Sequence, residues 1–135
     1  MSKTAVVFYS GSGNTEAMAD VVANALGADK IACDDFSAAM AADYDAIAFG
    51  CPAMGDEVLE ETAFQPMWDD VKGSLTGKKV ALFGSYGWGD GQWMRDWEAD
   101  ARANGVTLAC ESVICNEAPD DEANAALEAL AKALG

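Results

Sequence analysis

The stretch Ala5-Val6-Val7-Phe8-Tyr9-Ser10-Gly11-Ser12-Gly13-Asn14-Thr15 decides how the rest of the chain is read. Consecutive apolar residues without alternation are what a parallel strand buried on both faces requires. The run stops at a turn of serines and glycines, and beyond it Met18, Val21, Val22, Ala25 and Leu26 recur on one helical face. A buried strand turning into an amphipathic helix is the repeating unit of a wound α/β domain. The strand pattern returns at Ala46–Gly50 and Val80–Gly84, and more weakly at Lys30–Ala32 and Thr107–Cys110.

Helical faces separate these strands. Trp93, Met94, Trp97 and Ala101 share one, and Leu127, Leu130, Ala131 and Leu134 another. The second is preceded by Pro119-Asp120-Asp121-Glu122, which puts negative charge where a helix N-terminus favours it. Shorter helices are predicted from about Ser37 to Ala42, with Ser37 as the cap, and around Thr62 to Val71. Strand and helix in alternation give a doubly wound five-stranded parallel sheet, and the length suits one domain over residues 1–135. The expected strand order is 2-1-3-4-5. In that architecture ligands bind beyond the carboxyl ends of the strands, where the winding reverses. The chemistry should therefore follow Tyr9, Gly50 and Gly84.

Composition narrows the chemistry before any site is chosen. The formal net charge of −15 repels nucleic acid and anionic lipid and attracts basic protein surfaces. No apolar run approaches the roughly 20 residues that span a bilayer. The N-terminal residues carry no signal-peptide pattern, so the expected location is the cytoplasm, with no membrane contact. Histidine is absent, and Cys33, Cys51, Cys110 and Cys115 contain no C-x-x-C pair, which disfavours zinc, haem, iron–sulfur and triad chemistry. Buried reduced thiols are expected, with no metal.

Three loops carry what remains. Ser10-Gly11-Ser12-Gly13-Asn14-Thr15 offers hydroxyls, a backbone free to curl, and the N–H groups of a following helix: a phosphate cradle. It lacks the lysine of a Walker A loop and the spacing of a dinucleotide fingerprint, so one terminal monophosphate fits it best. Cys51-Pro52-Ala53-Met54-Gly55-Asp56-Glu57 follows the third strand. Ser85-Tyr86-Gly87-Trp88-Gly89-Asp90-Gly91 follows the fourth and sets aromatic rings among glycines. A tryptophan in such a loop calls for something to pack against, either the core or a planar aromatic ligand.

The motifs S-G-S-G-N-T, P-A-M-G-D-E and G-S-Y-G-W-G-D-G together resemble the flavodoxin family, specifically its short-chain clostridial type, over nearly the whole chain. The resemblance implies a flavodoxin-like fold, bound FMN, and one-electron transfer between redox enzymes through the semiquinone/hydroquinone couple. It implies that Ser10, Ser12, Asn14 and Thr15, with the backbone of Gly11 and Gly13, hold the phosphate. Met54 and Trp88 would sandwich the isoalloxazine ring, and Pro52, Ala53, Ser85 and Tyr86 are further expected cofactor contacts. Glu57 would accept from flavin N3–H, and N–H groups around Gly87 to Gly89 would serve O2 and N1. Asn116, after the last strand, would border the ring. The Gly55–Asp56 peptide would rotate to present its carbonyl to N5–H after one electron arrives. Asn104 to Cys115 leaves no room for the insertion that splits the last strand of long-chain members.

None of the three loops contains Lys or Arg, so reduction places negative charge without a cationic partner. Each carboxylate ~10 Å away opposes it by roughly 0.4 kcal/mol at the dielectric of water. A low-potential donor follows, expected to be a monomer that docks on basic surfaces of reductases and oxidoreductases. With no general base or nucleophile, the chain is expected not to be an enzyme. Two alternatives share the fold and cofactor: an FMN-dependent reductase, and an activator of a radical enzyme. A response-regulator domain is disfavoured because the strand ends read Tyr9-Ser10, Gly50-Cys51 and Gly84-Ser85, with no phosphoacceptor aspartate.

Overall fold

The computed structural model of the chain describes residues 3–9, 13–54, 58–87, 89 and 91–135. The apolar run that opens the sequence becomes β1 (Thr4–Phe8), and it lies between β2 (Asp29–Ala32) and β3 (Ala46–Gly50), parallel to both. β3 in turn pairs with β4 (Lys79–Tyr86). The outer position is shared by β5 (Thr107–Leu108) and β6 (Val113–Asn116), both parallel to β4. The strand order is thus 2-1-3-4-5, with the fifth position in two pieces.

Strict alternation across the pleat sends side chains into two cores. Val6, Ala48, Ala81 and Phe83 face α1 (Asn14–Leu26) and α5 (Asp121–Leu134). Ala5, Val7, Ile47, Phe49, Val80 and Leu82 face α2 (Ala38–Ala41), α3 (Phe64–Val71) and α4 (Gln92–Ala103). The second core is the more aromatic. Trp68 meets Phe49 and Trp97 edge to face, with ring centroids 5.3 and 5.7 Å apart, and Trp97 meets Phe64 at 5.4 Å. Such pairs add about 0.5–1.5 kcal/mol each beyond the area they bury.

Helix starts are set by local chemistry. Ser37 accepts from the Met40 N–H and Asp120 from the Ala123 N–H, so α2 and α5 begin on side-chain caps. α1 and α4 instead begin on Gly13 and Gly91, each at a φ of 94°, with no side-chain cap. These two helices follow β1 and β4, the strands expected to carry the site.

The fifth strand departs from the sequence expectation. Strand pairing was expected over Thr107–Cys110, with Asn116 beyond it, but pairing stops at Leu108 and resumes at Val113. Val80 and Phe83 on β4 pair with Leu108 and Val113, so residues 109–112 bulge opposite only Ala81 and Leu82. Ser112 fastens the bulge by donating to Glu98 of α4 at 2.7 Å. The consequence for the site is direct: Asn116 is the last residue of β6, paired with Tyr86.

Candidate functional site

Hydrogen bonds continue past the ends of the central strands and draw the loops together. The Tyr9 N–H donates to the Gly50 carbonyl at 3.0 Å, and the Cys51 N–H to the Phe83 carbonyl at 3.1 Å. Ala53 N–H then donates to the Ser85 carbonyl at 3.0 Å, and Glu117 N–H to the Tyr86 carbonyl at 2.8 Å. The side chains of Thr15 and Ser85, 70 residues apart, share a buried hydrogen bond of 3.1 Å. The described parts of the segments named from sequence therefore meet at one end of the sheet.

Of the predicted contacts, Gly13, Asn14, Thr15, Pro52, Ala53, Met54, Ser85, Tyr86, Gly87, Gly89 and Asn116 fall among the described residues. Ser10, Gly11, Ser12, Gly55, Asp56, Glu57 and Trp88 lie outside them, and with them the ring sandwich, the N3 acceptor and the rotating peptide. Gly13 lies in the cradle in a left-handed conformation that an L side chain resists, and no described residue comes within 4 Å of where a Cβ would stand. Ser85 and Tyr86 are not loop residues as expected but the last residues of β4. The Tyr86 ring packs on Trp93 at a centroid distance of 5.6 Å. Asn116, Gly87 and Gly89 are exposed.

The second loop is clamped at both ends. Met54 and Val58 exchange backbone hydrogen bonds of 2.9 and 3.1 Å, and both side chains are exposed. At its start, the Cys51 carbonyl accepts from the Trp93 indole at 3.1 Å and lies where a Cβ on Gly84 would fall, at 2.2 Å. Only glycine at position 84 permits this approach between the loop and β4. At its end sits Glu60, 5% exposed, whose backbone N–H donates to the Cys51 sulfur at 3.4 Å.

Glu60 was not singled out from sequence, yet it organises this region. Its carboxylate accepts from the N–H groups of Thr62, Ala63 and Phe64 at 2.9, 2.6 and 2.8 Å, and from the Thr62 hydroxyl. Burial disfavours the charge, but the Thr62 hydroxyl and the Phe64, Thr62 and Ala63 N–H groups outweigh it and lower the pKa to about 2. The thiols are inert by comparison. Burial pushes Cys33 and Cys115 up to about 11 and raises Cys51 and Cys110 as well. None is in a disulfide. Cys33, Cys51 and Cys115 are buried as expected, whereas Cys110 is half-buried.

Among the described residues no cluster of three or more metal-ligating side chains occurs, and no helix is long and apolar enough to cross a membrane. A groove of about 520 Å³ lies along α4 and the edge of the sheet, lined by Arg95, Arg102 and Ile114 among others. The strand ends bring together other features: the start of α1, the buried hydroxyl pair of Thr15 and Ser85, and the exposed Met54. That set offers a helix N-terminus to a phosphate and an exposed apolar side chain to a ring.

The family model for flavodoxin matches residues 6–129. Flavodoxin of Clostridium beijerinckii is 43% identical over 121 residues, covering 86% of this chain and 88% of that protein. Flavodoxin of Megasphaera elsdenii is 43% identical over 135 residues, covering 95% and 98%. The solution structure of two-electron reduced Megasphaera elsdenii flavodoxin superposes with a TM-score of 0.86 at 40% identity, covering 96% and 98%. The chain belongs to the flavodoxin family. Its likeness to the Clostridium and Megasphaera proteins over most of the chain makes it one of the short-chain, clostridial type. Its cofactor is accordingly FMN, and it is an electron-transfer protein rather than an enzyme.

Proposed function

We propose that this chain is a low-potential one-electron carrier that works the lower of the two reduction steps of FMN and shuttles between larger redox enzymes. The observation that carries the reading is the convergence of the three segments: Thr15 on Ser85, and Ala53 on Ser85, at the carboxyl ends of β1, β3 and β4. FMN supplies the electron chemistry when bound; the protein supplies a cradle, an apolar face and a fixed field of charge.

In this reading the α1 N-terminus, beginning on Gly13 without a side-chain cap, receives the phosphate together with Ser10, Gly11, Ser12, Asn14 and Thr15. Met54 covers one face of the ring and Trp88 the other. Glu57 accepts at N3, the backbone around Gly87–Gly89 donates at O2 and N1, and Asn116 borders the ring at the end of β6. The Gly55–Asp56 peptide would offer its carbonyl to the flavin ring. The net charge of −15 disfavours added electrons and steers the molecule onto basic partner surfaces. We place it as a monomeric single domain in the cytoplasm.

The test is a titration of the cofactor-free chain. Tight one-to-one binding of FMN is expected, with quenched flavin fluorescence and little affinity for riboflavin or FAD. Addition of NADH and a quinone should give almost no turnover without a partner reductase. Equal affinity for FMN and riboflavin would refute the phosphate cradle, and partner-free turnover would favour a reductase.

A further inference from the structure

We infer that Ser85 is a positioning residue for the phosphate site, acting through the hydroxyl of Thr15; the inference rests on the proposed role of the Gly13–Thr15 segment. The two oxygens lie 3.1 Å apart, and the residues are 1% and 4% exposed. Water therefore does not set the direction of either hydroxyl.

Two hydroxyls joined by one hydrogen bond carry two protons, of which the bond uses one. The other proton leaves the pair from Ser85 or from Thr15, depending on which residue donates to its neighbour. Thr15 is the second residue of α1, in the first turn of the helix, where an anion is favoured. Ser85 is on β4, behind it, with its backbone held by the Ala53 N–H and by pairing with Cys115. An anion at the helix start selects one polarity: the Ser85 hydroxyl donates to Thr15 Oγ1, and the Thr15 proton points out to the anion.

Ser85 then supplies two things at once. It accepts a backbone bond from the second loop through its carbonyl, and it orients the first loop's donor through its hydroxyl. Replacing the hydroxyl alone leaves the backbone bond in place. The variant Ser85→Ala is therefore a clean probe, and the quantity it should change is the preference for a phosphorylated flavin over an unphosphorylated one.

The experiment is a double-mutant cycle read as the ratio of riboflavin to FMN dissociation constants, for the wild type, Ser85→Ala, Thr15→Val and the double variant. Any general loss of flavin affinity or fold stability cancels in the ratio. Ser85→Ala should lower the ratio by roughly tenfold, the scale of one hydrogen bond to a charged acceptor. In the Thr15→Val background, adding Ser85→Ala should change it no further. A conservative Ser85→Thr change, which keeps the hydroxyl, should restore most of the preference. An unchanged ratio in Ser85→Ala, or effects of the two substitutions that simply multiply, would overturn the inference. A wild type without preference for FMN would instead bring down the cradle reading on which it rests, and this inference with it.

Discussion

The acid stability of the fold should hinge on Glu60, and Glu60→Gln tests this. The carboxyl is held at about 2 in the folded chain against an ordinary value of 4.5. Because the folded value is the lower one, the stabilisation is fully present above about pH 4.5 and is lost as the pH falls toward 2. The difference corresponds to about 3 kcal/mol at neutral pH, of which about 2 kcal/mol is gone by pH 3. Near-complete burial of the side chain leaves little solvent screening to reduce this. A glutamine cannot reproduce the arrangement, since its NH₂ would face backbone N–H groups that the carboxylate now accepts from. Urea unfolding at pH 6 and pH 3 should therefore show the wild type losing about 2 kcal/mol more stability than the variant between the two conditions. Other carboxylates titrate in both proteins and cancel in the comparison. If wild type and Glu60→Gln lose the same stability on acidification, the carboxylate is not held charged by the start of α3.

Gly13→Ala should destabilise the cofactor-free fold by about 1 kcal/mol through backbone strain, since no described residue crowds the new methyl, and a shifted urea midpoint would register it. An unchanged midpoint would contradict the left-handed conformation. Transfer to basic partners should slow as salt rises, because the charge of −15 is screened; stopped-flow rates independent of ionic strength would reduce the acidity to a solubility device. Gly55→Thr should bring the two flavin reduction steps closer, by roughly 40 mV for each kcal/mol of strain, while leaving oxidised FMN binding nearly intact. Unaltered midpoints in a potentiometric titration would remove the rotating peptide from the mechanism.

The central strands could be read from sequence because they are unbroken apolar runs, and burial on both faces permits nothing else. The outer strand could not. Val113-Ile114-Cys115-Asn116 alternates buried and exposed, the weaker pattern of an edge, and the bulge of residues 109–112 hides its continuity with Thr107–Leu108. Asn116 was consequently named as a border residue without its place in the sheet. Glu60 escaped notice because Leu59-Glu60-Glu61-Thr62 reads as an exposed acidic turn. The one available signal was an acid just ahead of an expected helix, which can satisfy its first N–H groups. Ser85 was assigned to a loop because it stands among glycines; only the structure shows a β4 hydroxyl turned against α1.

The bulge between β5 and β6 also marks where this chain can be lengthened. Four residues already span what β4 covers in two, so the ladder on either side does not depend on the spacing between them. Closing a longer loop there costs only about 0.6 kcal/mol for each doubling of its length. A peptide tag or a small reporter domain inserted between Cys110 and Glu111 would leave Ser112 on Glu98 and Val113 on Phe83, and so leave β6 to deliver Asn116 unchanged. The opposite edge, at β2, has no such slack: its register with β1 is continuous from Asp29 to Ala32.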